Sequence, residues 1–304
     1  MKRYQRSGRR ILSSSAAIVA VALLGVCALW VAGARGDGWF ARSLRSPLTI
    51  RAGVVCLVSV VLLYVVGGVL LHLARGRGRA DGKAGTAAIE MVLLFPIALC
   101  IILVMIQSML VVTGNIVVHY AAYAAARSAA VQVPERVSYE EPRNVVLDPE
   151  NSAKFHRVRS AAVGVMTAVS AGEAGAGGSG GSGGAVLLQE GLDRFFASYD
   201  RATPRWVATV LAAKYEYAWD YTEVTLRPPA DGEKYADHED LSVGVRHMLY
   251  LSVPYAKRIF GGEMPAGDGD YATEAFATYT LTNQGVEDEI DVEVFPRYVG
   301  RGEE

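Results

Sequence analysis

The sequence predicts an α+β membrane protein, with three N-terminal transmembrane helices followed by an extracytoplasmic domain of helices and a small antiparallel sheet. Three apolar stretches, residues 11–34, 52–73 and 86–113, are each about as long as the roughly 20 residues that a helix needs to cross a bilayer core. No apolar stretch of that length follows residue 115. The net charge of −1 favours no nucleic-acid partner.

The first stretch follows a basic N-terminus, Lys2, Arg3, Arg6, Arg9 and Arg10. It is longer than a signal-peptide core of about 7–15 residues, which predicts a retained anchor, with cleavage of a signal peptide within residues 31–35 as the alternative. The connection at residues 75–83 is strongly basic, which indicates a cytoplasmic loop. Residues 35–51 are basic as well, so the positive-inside rule favours a cytoplasmic N-terminus without requiring it.

The third stretch begins with GTAAIEMVLLFP, residues 85–96, and contains two residues that are unusual in a membrane helix. Glu90 would cost a few kcal/mol near the bilayer centre, so it is expected either to be functional or to lie near the headgroups. The helix dipole favours an anion in the first turns. Pro96 is tolerated because membrane helices satisfy the freed backbone groups through neighbours and local distortion. The physics of the segment therefore leaves a structural and a functional role open for Glu90.

Gly85, Glu90 and Pro96, followed by an alanine-rich segment that contains Arg127, resemble the TadE-like pseudopilins of tight-adherence (Tad) pilus systems. The resemblance covers about residues 83–133. It implies that a prepilin peptidase cuts after Gly85, which would make Thr86 the new N-terminus. It also implies that Glu90, with Pro96 and Arg127, serves assembly. Residues 1–84 would then be either an atypical leader or a retained two-helix anchor.

The resemblance implies a non-enzymatic minor pseudopilin or assembly component of a Tad-type pilus or secretion machine, held in the cytoplasmic (inner) membrane. Its expected partners are other pilin or pseudopilin subunits, the inner-membrane pilus machinery, the prepilin peptidase and membrane lipid, with no cofactor and no nucleic acid. The alternative function is a membrane-anchored extracytoplasmic module that binds envelope polymer or a protein.

The pilin-like segment is predicted to span residues 85–133, with Pro134 ending its helix, and the domain to span residues 134–304. Within the domain, apolar residues at helical spacing predict a helix over residues 152–171. A Gly/Ser linker at residues 171–184 and two helices at residues 186–199 and 204–214 follow. Alternating apolar residues predict strands at residues 241–253, 271–281 and 290–295.

The residues Tyr215, Tyr217, Trp219 and Tyr221 alternate along the chain and predict a further strand, with a bulge before Val224. We interpret this aromatic stripe as the buried face of that strand, and a partner-binding surface is the alternative. His247 lies on an apolar strand face and is interpreted as a core histidine. The five histidines show no metal-site spacing, and no serine or cysteine has a recognisable nucleophile context, so no metal and no catalytic residue is predicted.

Overall fold

The structure, a computed structural model, describes residues 30–31, 33, 35–36, 38–76, 84–148, 151–171, 183–236, 238–264 and 270–283. Seven helices and four strands lie in these ranges. They are α1 (Trp39–Arg45), α2 (Pro47–Gly76), α3 (Ala84–Gln132), α4 (Ala153–Met166), α5 (Gly183–Ala197), α6 (Arg205–Tyr221), β1 (Thr222–Leu226), β2 (Asp240–Tyr250), α7 (Lys257–Phe260), β3 (Gly262–Glu263) and β4 (Tyr271–Thr282). The predicted α+β class is confirmed.

Two helices in the described part of the chain are long and apolar enough to cross a membrane, where the sequence predicted three. The candidate spans are Pro47–Val69 in α2 and Leu94–Gln132 in α3. The predicted first span, residues 11–34, lies almost entirely outside the described residues. The second begins earlier than predicted because the helix starts at Pro47, a residue whose fixed φ suits a first helical turn.

Helix α3 is 49 residues long and joins the apolar stretch to the domain without a break. It contains Pro96, and it ends one residue before residue 133, the predicted limit of the segment. The helix ends at Gln132, two residues before Pro134, because a proline disfavours helical geometry in the residue that precedes it.

Helix α4 begins as the sequence predicted but ends earlier. Ser152 caps it, its hydroxyl oxygen accepting a hydrogen bond from the Phe155 amide at 2.9 Å. Turns replace the helix after Met166. Most of the predicted Gly/Ser linker, residues 172–182, lies outside the described residues.

The four strands form one antiparallel sheet in the order β1-β2-β4-β3. The predicted apolar face of β2 is confirmed, and its buried residues are Leu241, Val243, Val245, His247 and Leu249. The predicted strand at residues 271–281 is β4, whereas residues 290–295 lie outside the described part of the chain. Strand β2 ends at Tyr250, three residues before the predicted limit at residue 253.

The prediction of a strand at Tyr215, Tyr217, Trp219 and Tyr221 is wrong, because these residues form the last turns of α6. In a helix, residues four apart lie on one face, so the four rings form two pairs. The Tyr215 and Trp219 ring centres are 6.2 Å apart, and those of Tyr217 and Tyr221 are 4.5 Å apart. The predicted bulge before Val224 is the junction between α6 and β1.

The main core lies between α3, α4 and the sheet. One face of α3 supplies small residues, Val118, Ala122, Ala125 and Ala129, all of which are buried. Their small volume lets the strands and α4 approach the helix axis closely. The C-terminal half of α3 is therefore a core element of the domain.

Candidate functional site

Helices α2 and α3 carry a continuous band of exposed apolar side chains, which we call the apolar band. It runs from Ile50 to Val69 on α2 and from Val92 to Leu110 on α3. At 1.5 Å per residue these segments are about 28 Å and about 27 Å long, close to the roughly 30 Å of a bilayer core. Beyond Leu110, the exposed large apolar side chains of α3 that the structure describes are Tyr120 and Val131. The described part of the band is therefore already long enough to cross most of a bilayer core.

The two helices are antiparallel, and a buried polar cluster fixes them together at the domain end. The Asn115 amide nitrogen donates to the hydroxyl oxygens of Ser46 and Thr49, each at 2.6 Å, and approaches the Ser43 carbonyl oxygen at 3.3 Å. Next to it, Ala52 of α2 packs in one cluster with Val111 of α3. At the other end, seven residues separate α2 from α3. The start of α2 and the middle of α3 thus lie beside the domain, and the end of α2 and the start of α3 lie at the far end.

The domain contacts α3 earlier than predicted, within the last residues of the apolar stretch. The buried Gln107 side-chain oxygen accepts a hydrogen bond from the Val253 amide at 3.0 Å. Leu249 lies against Gly114, where a β-carbon would come within 2.7 Å of the leucine Cδ2 atom. Gly114 is therefore needed for this close approach. The domain therefore covers one side of the last part of the predicted span, from Gln107 to residue 113.

The residues of the predicted processing and assembly motif lie at the opposite end of α3. Gly85 and Thr86 are in its first turn, and Glu90 precedes Leu110 by 20 residues, or about 30 Å along the helix. Glu90 therefore lies in the part of α3 that is farther from the domain. Pro96 lies inside the helix and is exposed. Cleavage at Gly85 and the assembly role of Glu90 stay predictions.

Arg127 lies far from Glu90. It is exposed on the part of α3 whose neighbouring residues Ala125, Ala126 and Ala129 are buried in the domain core. Thirty-seven residues of continuous helix separate it from Glu90, which corresponds to about 55 Å. Within one chain the two side chains cannot act on each other directly. A joint role in assembly would require two separate contacts with other molecules.

The four aromatic residues at the C-terminal end of α6, Tyr215, Tyr217, Trp219 and Tyr221, make internal contacts. Tyr215 and Tyr217 are buried, and the Tyr217 hydroxyl donates to the Met248 carbonyl oxygen at 2.9 Å. Burial raises the pKa of Tyr217 well above its ordinary value. The Arg159 guanidinium covers the Trp219 ring at 4.2 Å from its centre. Tyr215 and Tyr217 are therefore core residues, Trp219 and Tyr221 are half-buried, and a partner-binding role of these four residues stays a prediction.

His247 is a core histidine, as predicted. Its side chain is fully buried, and its Nδ1 atom lies 2.8 Å from the Thr222 hydroxyl oxygen. Desolvation by burial lowers the pKa of His247 to about 4, while a backbone hydrogen bond to Tyr221 opposes that shift. The imidazole is therefore neutral at pH 7.

A further buried ionisable group, Lys154, holds the end of α3 and was not predicted from the sequence. Its ammonium donates to three carbonyl oxygens, those of Pro142 at 2.7 Å and of Val133 and Val145 at 2.9 Å. Burial lowers the pKa of Lys154 below its usual value, and the neighbouring Glu141 carboxylate opposes that shift. The three carbonyls belong to the helix end and to the loop after it, so Lys154 ties the loop to the core.

Comparison with protein families gives one match. Residues 85–127 match the family described as TadE-like protein. Comparison with curated proteins and with solved structures gave no match. The matched residues run from Gly85, in the first turn of α3, to Arg127, which is exposed beside the domain core. The resemblance to the TadE-like family is therefore confirmed for residues 85–127, and this segment of α3 is TadE-like.

Proposed function

We propose that the protein is a non-enzymatic minor pseudopilin or assembly component of a Tad-type pilus or secretion machine. The observation that carries this proposal is that the TadE-like match coincides with the helix that joins the apolar band to the domain core. A helix of this kind is suited to hold a folded domain beside a membrane while it packs laterally against similar helices.

We further propose that α2 and α3 anchor the protein in the cytoplasmic membrane. The connection between them carries Arg75, Arg77, Arg79 and Lys83 with one acidic residue, and it lies at the end opposite the domain. The positive-inside rule favours the cytoplasm for such a loop, so the domain is extracytoplasmic. Gly85 then lies on the cytoplasmic side, where the family resemblance implies that the peptidase cuts.

Glu90 is the proposed assembly residue. A carboxylate at the edge of an apolar helix surface is stabilised by a cationic partner, because the pair is less costly to desolvate than the lone anion. A cationic group of a neighbouring pilin-like subunit could provide that partner. Other pilin or pseudopilin subunits and the inner-membrane pilus machinery are therefore the proposed partners.

The test replaces Glu90 with glutamine in cells that lack the native gene copy. Glu90→Gln keeps the shape of the side chain and removes its charge, so we expect a loss of assembled pili at an unchanged level of membrane-bound protein. Glu190→Gln is the matched control, because Glu190 is an exposed acid on α5 that pairs with Arg194 outside the TadE-like segment. Normal assembly with Glu90→Gln would show that the carboxylate is merely interfacial.

Processing is tested separately by N-terminal sequencing of the protein from its native membrane. A sequence that begins at Thr86 supports cleavage after Gly85. An intact N-terminus refutes cleavage, and it leaves the TadE-like assignment of residues 85–127 unchanged.

A further inference from the structure

The turn between β2 and β3 is the part of the described domain that lies closest to the apolar band. Three contacts follow β2 along α3 toward the band: Leu249 with Gly114, Leu251 with Val111, and Val253 with Gln107. Each step of two strand residues, about 6.6 Å, corresponds to about one turn of the helix. The chain then turns at residues 253–256 and returns through α7, where Phe260 packs beside the cluster that contains Val111.

This turn exposes aromatic, aliphatic and basic side chains together. Tyr255 is 78% exposed and Ile259 is 60% exposed, although both are large apolar residues. Arg258 is exposed beside them. Residues 253–262, VPYAKRIFGG, contain two cations and no acid. Aromatic and basic residues with a short apolar surface are typical of the boundary between lipid headgroups and acyl chains.

The backbone of the turn is held firmly, so these side chains are presented in a fixed position. Ala256 is buried, and the Val253 amide is bound to Gln107. Gly261 lies so close to β4 that a β-carbon would collide with the Ala272 carbonyl oxygen. Tyr255 has a φ of 61°, a left-handed conformation that is uncommon outside glycine. The exposure of Tyr255 and Ile259 is thus a consequence of the fold around them.

We propose that residues 254–259 seat the domain on the anionic phospholipid surface of the leaflet that it faces. Tyr255 and Ile259 would enter the boundary between headgroups and acyl chains. Arg258 would contact lipid phosphate, together with Lys257, whose ammonium lies 5.0 Å from the centre of the Tyr271 ring. The occupant is a lipid surface because the turn continues the exposed apolar surface of α3, where Ile106, Met109 and Leu110 remain exposed at this level. The inference rests on the membrane anchoring proposed above.

The test measures contact with lipid at single sites of the full chain in nanodiscs. The native cysteines Cys27, Cys56 and Cys100 are replaced with alanine, and a fluorophore is attached through Ile259→Cys. Lipids with a nitroxide near the top of the acyl chain then quench a fluorophore that lies at the membrane boundary. Val131→Cys is the matched control, because Val131 is 63% exposed at the end of α3 away from the band. Leu99→Cys reports on the apolar band itself.

We expect quenching at Leu99 and at Ile259 but none at Val131. Quenching at Leu99 without quenching at Ile259 would overturn the inference, leave the membrane hairpin intact and favour a protein partner for the same side chains. An unquenched Leu99 label would instead refute the membrane anchoring on which the proposed function rests.

The role of charge is tested with nitroxide-labelled phosphatidylglycerol and phosphatidylcholine. The label at Ile259 should be quenched more strongly by the anionic phosphatidylglycerol than by phosphatidylcholine. Arg258→Gln is expected to lower the preference for the anionic lipid about five-fold, because one basic residue near an anionic surface is lost. A preference that Arg258→Gln leaves unchanged would refute the phosphate contact.

Discussion

Replacement of Lys154 with methionine tests whether the buried ammonium holds the end of α3 and the following loop in place. Methionine has a similar length and no charge, so it fills most of the same space. It leaves three carbonyl oxygens, those of Val133, Pro142 and Val145, without the donor that now binds each of them at 2.9 Å or less.

The expected loss of stability follows from these three hydrogen bonds. A hydrogen bond to a charged group contributes about 1.5–3 kcal/mol, and a buried acceptor left without a donor costs about 1–3 kcal/mol. Methionine also removes the cost of burying the charged ammonium, which is several kcal/mol and offsets part of the loss. We therefore expect Lys154→Met to lower the free energy of unfolding of the domain by about 3 kcal/mol.

The assay is urea unfolding of the full chain in detergent micelles, followed by tryptophan fluorescence. Trp30, Trp39 and Trp206 are replaced with phenylalanine in all variants, so that the signal comes from Trp219, which lies on α6 under the Arg159 guanidinium and reports on the domain. With a slope of about 1–3 kcal/mol per M of urea, a loss of 3 kcal/mol lowers the midpoint by about 1–3 M. The slope itself should not change.

Arg157→Met is the matched control on the same helix. The Arg157 guanidinium also contacts the end of α3, at Gln132 and Glu135, but its side chain is half exposed. An exposed ion pair contributes about 0–1 kcal/mol, so the control should unfold close to the wild type. Equal midpoints for the two variants would refute the reasoning that the buried ammonium, rather than any cation at this end of α3, stabilises the loop.

Two further predictions concern the core. Burial lowers the pKa of His247 to about 4, so the folded domain binds fewer protons than the unfolded chain between pH 4 and pH 6.5. The contribution of His247 to the free energy of unfolding is therefore fully present above pH 6.5. The free energy of unfolding decreases as the pH falls toward 4, by about 2 kcal/mol at pH 5. His247→Gln should abolish this part of the pH dependence of the urea midpoint, and an identical pH profile for the variant would contradict the assignment. Gly114→Ala should destabilise the domain through its contact with Leu249, by an overpacking cost of about 1–3 kcal/mol less about 1 kcal/mol gained in helix propensity. Leu249→Ala removes that contact. In a double-mutant cycle, the double variant should therefore lose about 1 kcal/mol less free energy of unfolding than the sum of the two single variants. Additive losses would exclude the predicted clash.

Much of the fold could be predicted because simple periodicities dominate its elements. The alternation from Leu241 to Leu249 places one buried side chain at every second residue, which in a strand faces a single layer. The length of the apolar stretches predicted α2 and α3, and Pro134 predicted the end of α3. In each case a local pattern and the tertiary packing favour the same conformation.

The strand predicted at Tyr215–Tyr221 shows where such patterns are ambiguous. Four aromatic residues spaced by two satisfy the period of a strand, and they also contain two pairs spaced by four. In α6 the pairs meet as Tyr215 with Trp219 and Tyr217 with Tyr221. Six of the ten residues before them, RWVATVLAAK, are good helix formers (Arg, Leu, Lys and three Ala), and they favour the helix because extending a helix costs less than starting a strand within it.

The polar contacts of the candidate site could not be predicted, because their partners are distant in the sequence. Gln107 and Asn115 are visible as polar residues at the end of an apolar stretch. Their partners, however, lie at Val253 and at residues 43–49. Lys154 gives no sign of burial in its own segment, since its three acceptors belong to the end of α3 and to the loop that follows.

The polar cluster around Asn115 has a consequence for any cut between Gly85 and Thr86. Hydrolysis of that peptide bond would separate α1 and α2 from the rest of the chain covalently, but it would leave the hydrogen bonds of Ser46 and Thr49 to Asn115 intact. The contacts of Ala52 with the Val111 cluster would also persist. The N-terminal piece would therefore remain as a bound second subunit. Its release would require these buried hydrogen bonds and apolar contacts to be broken, because hydrolysis of the peptide bond alone removes none of them.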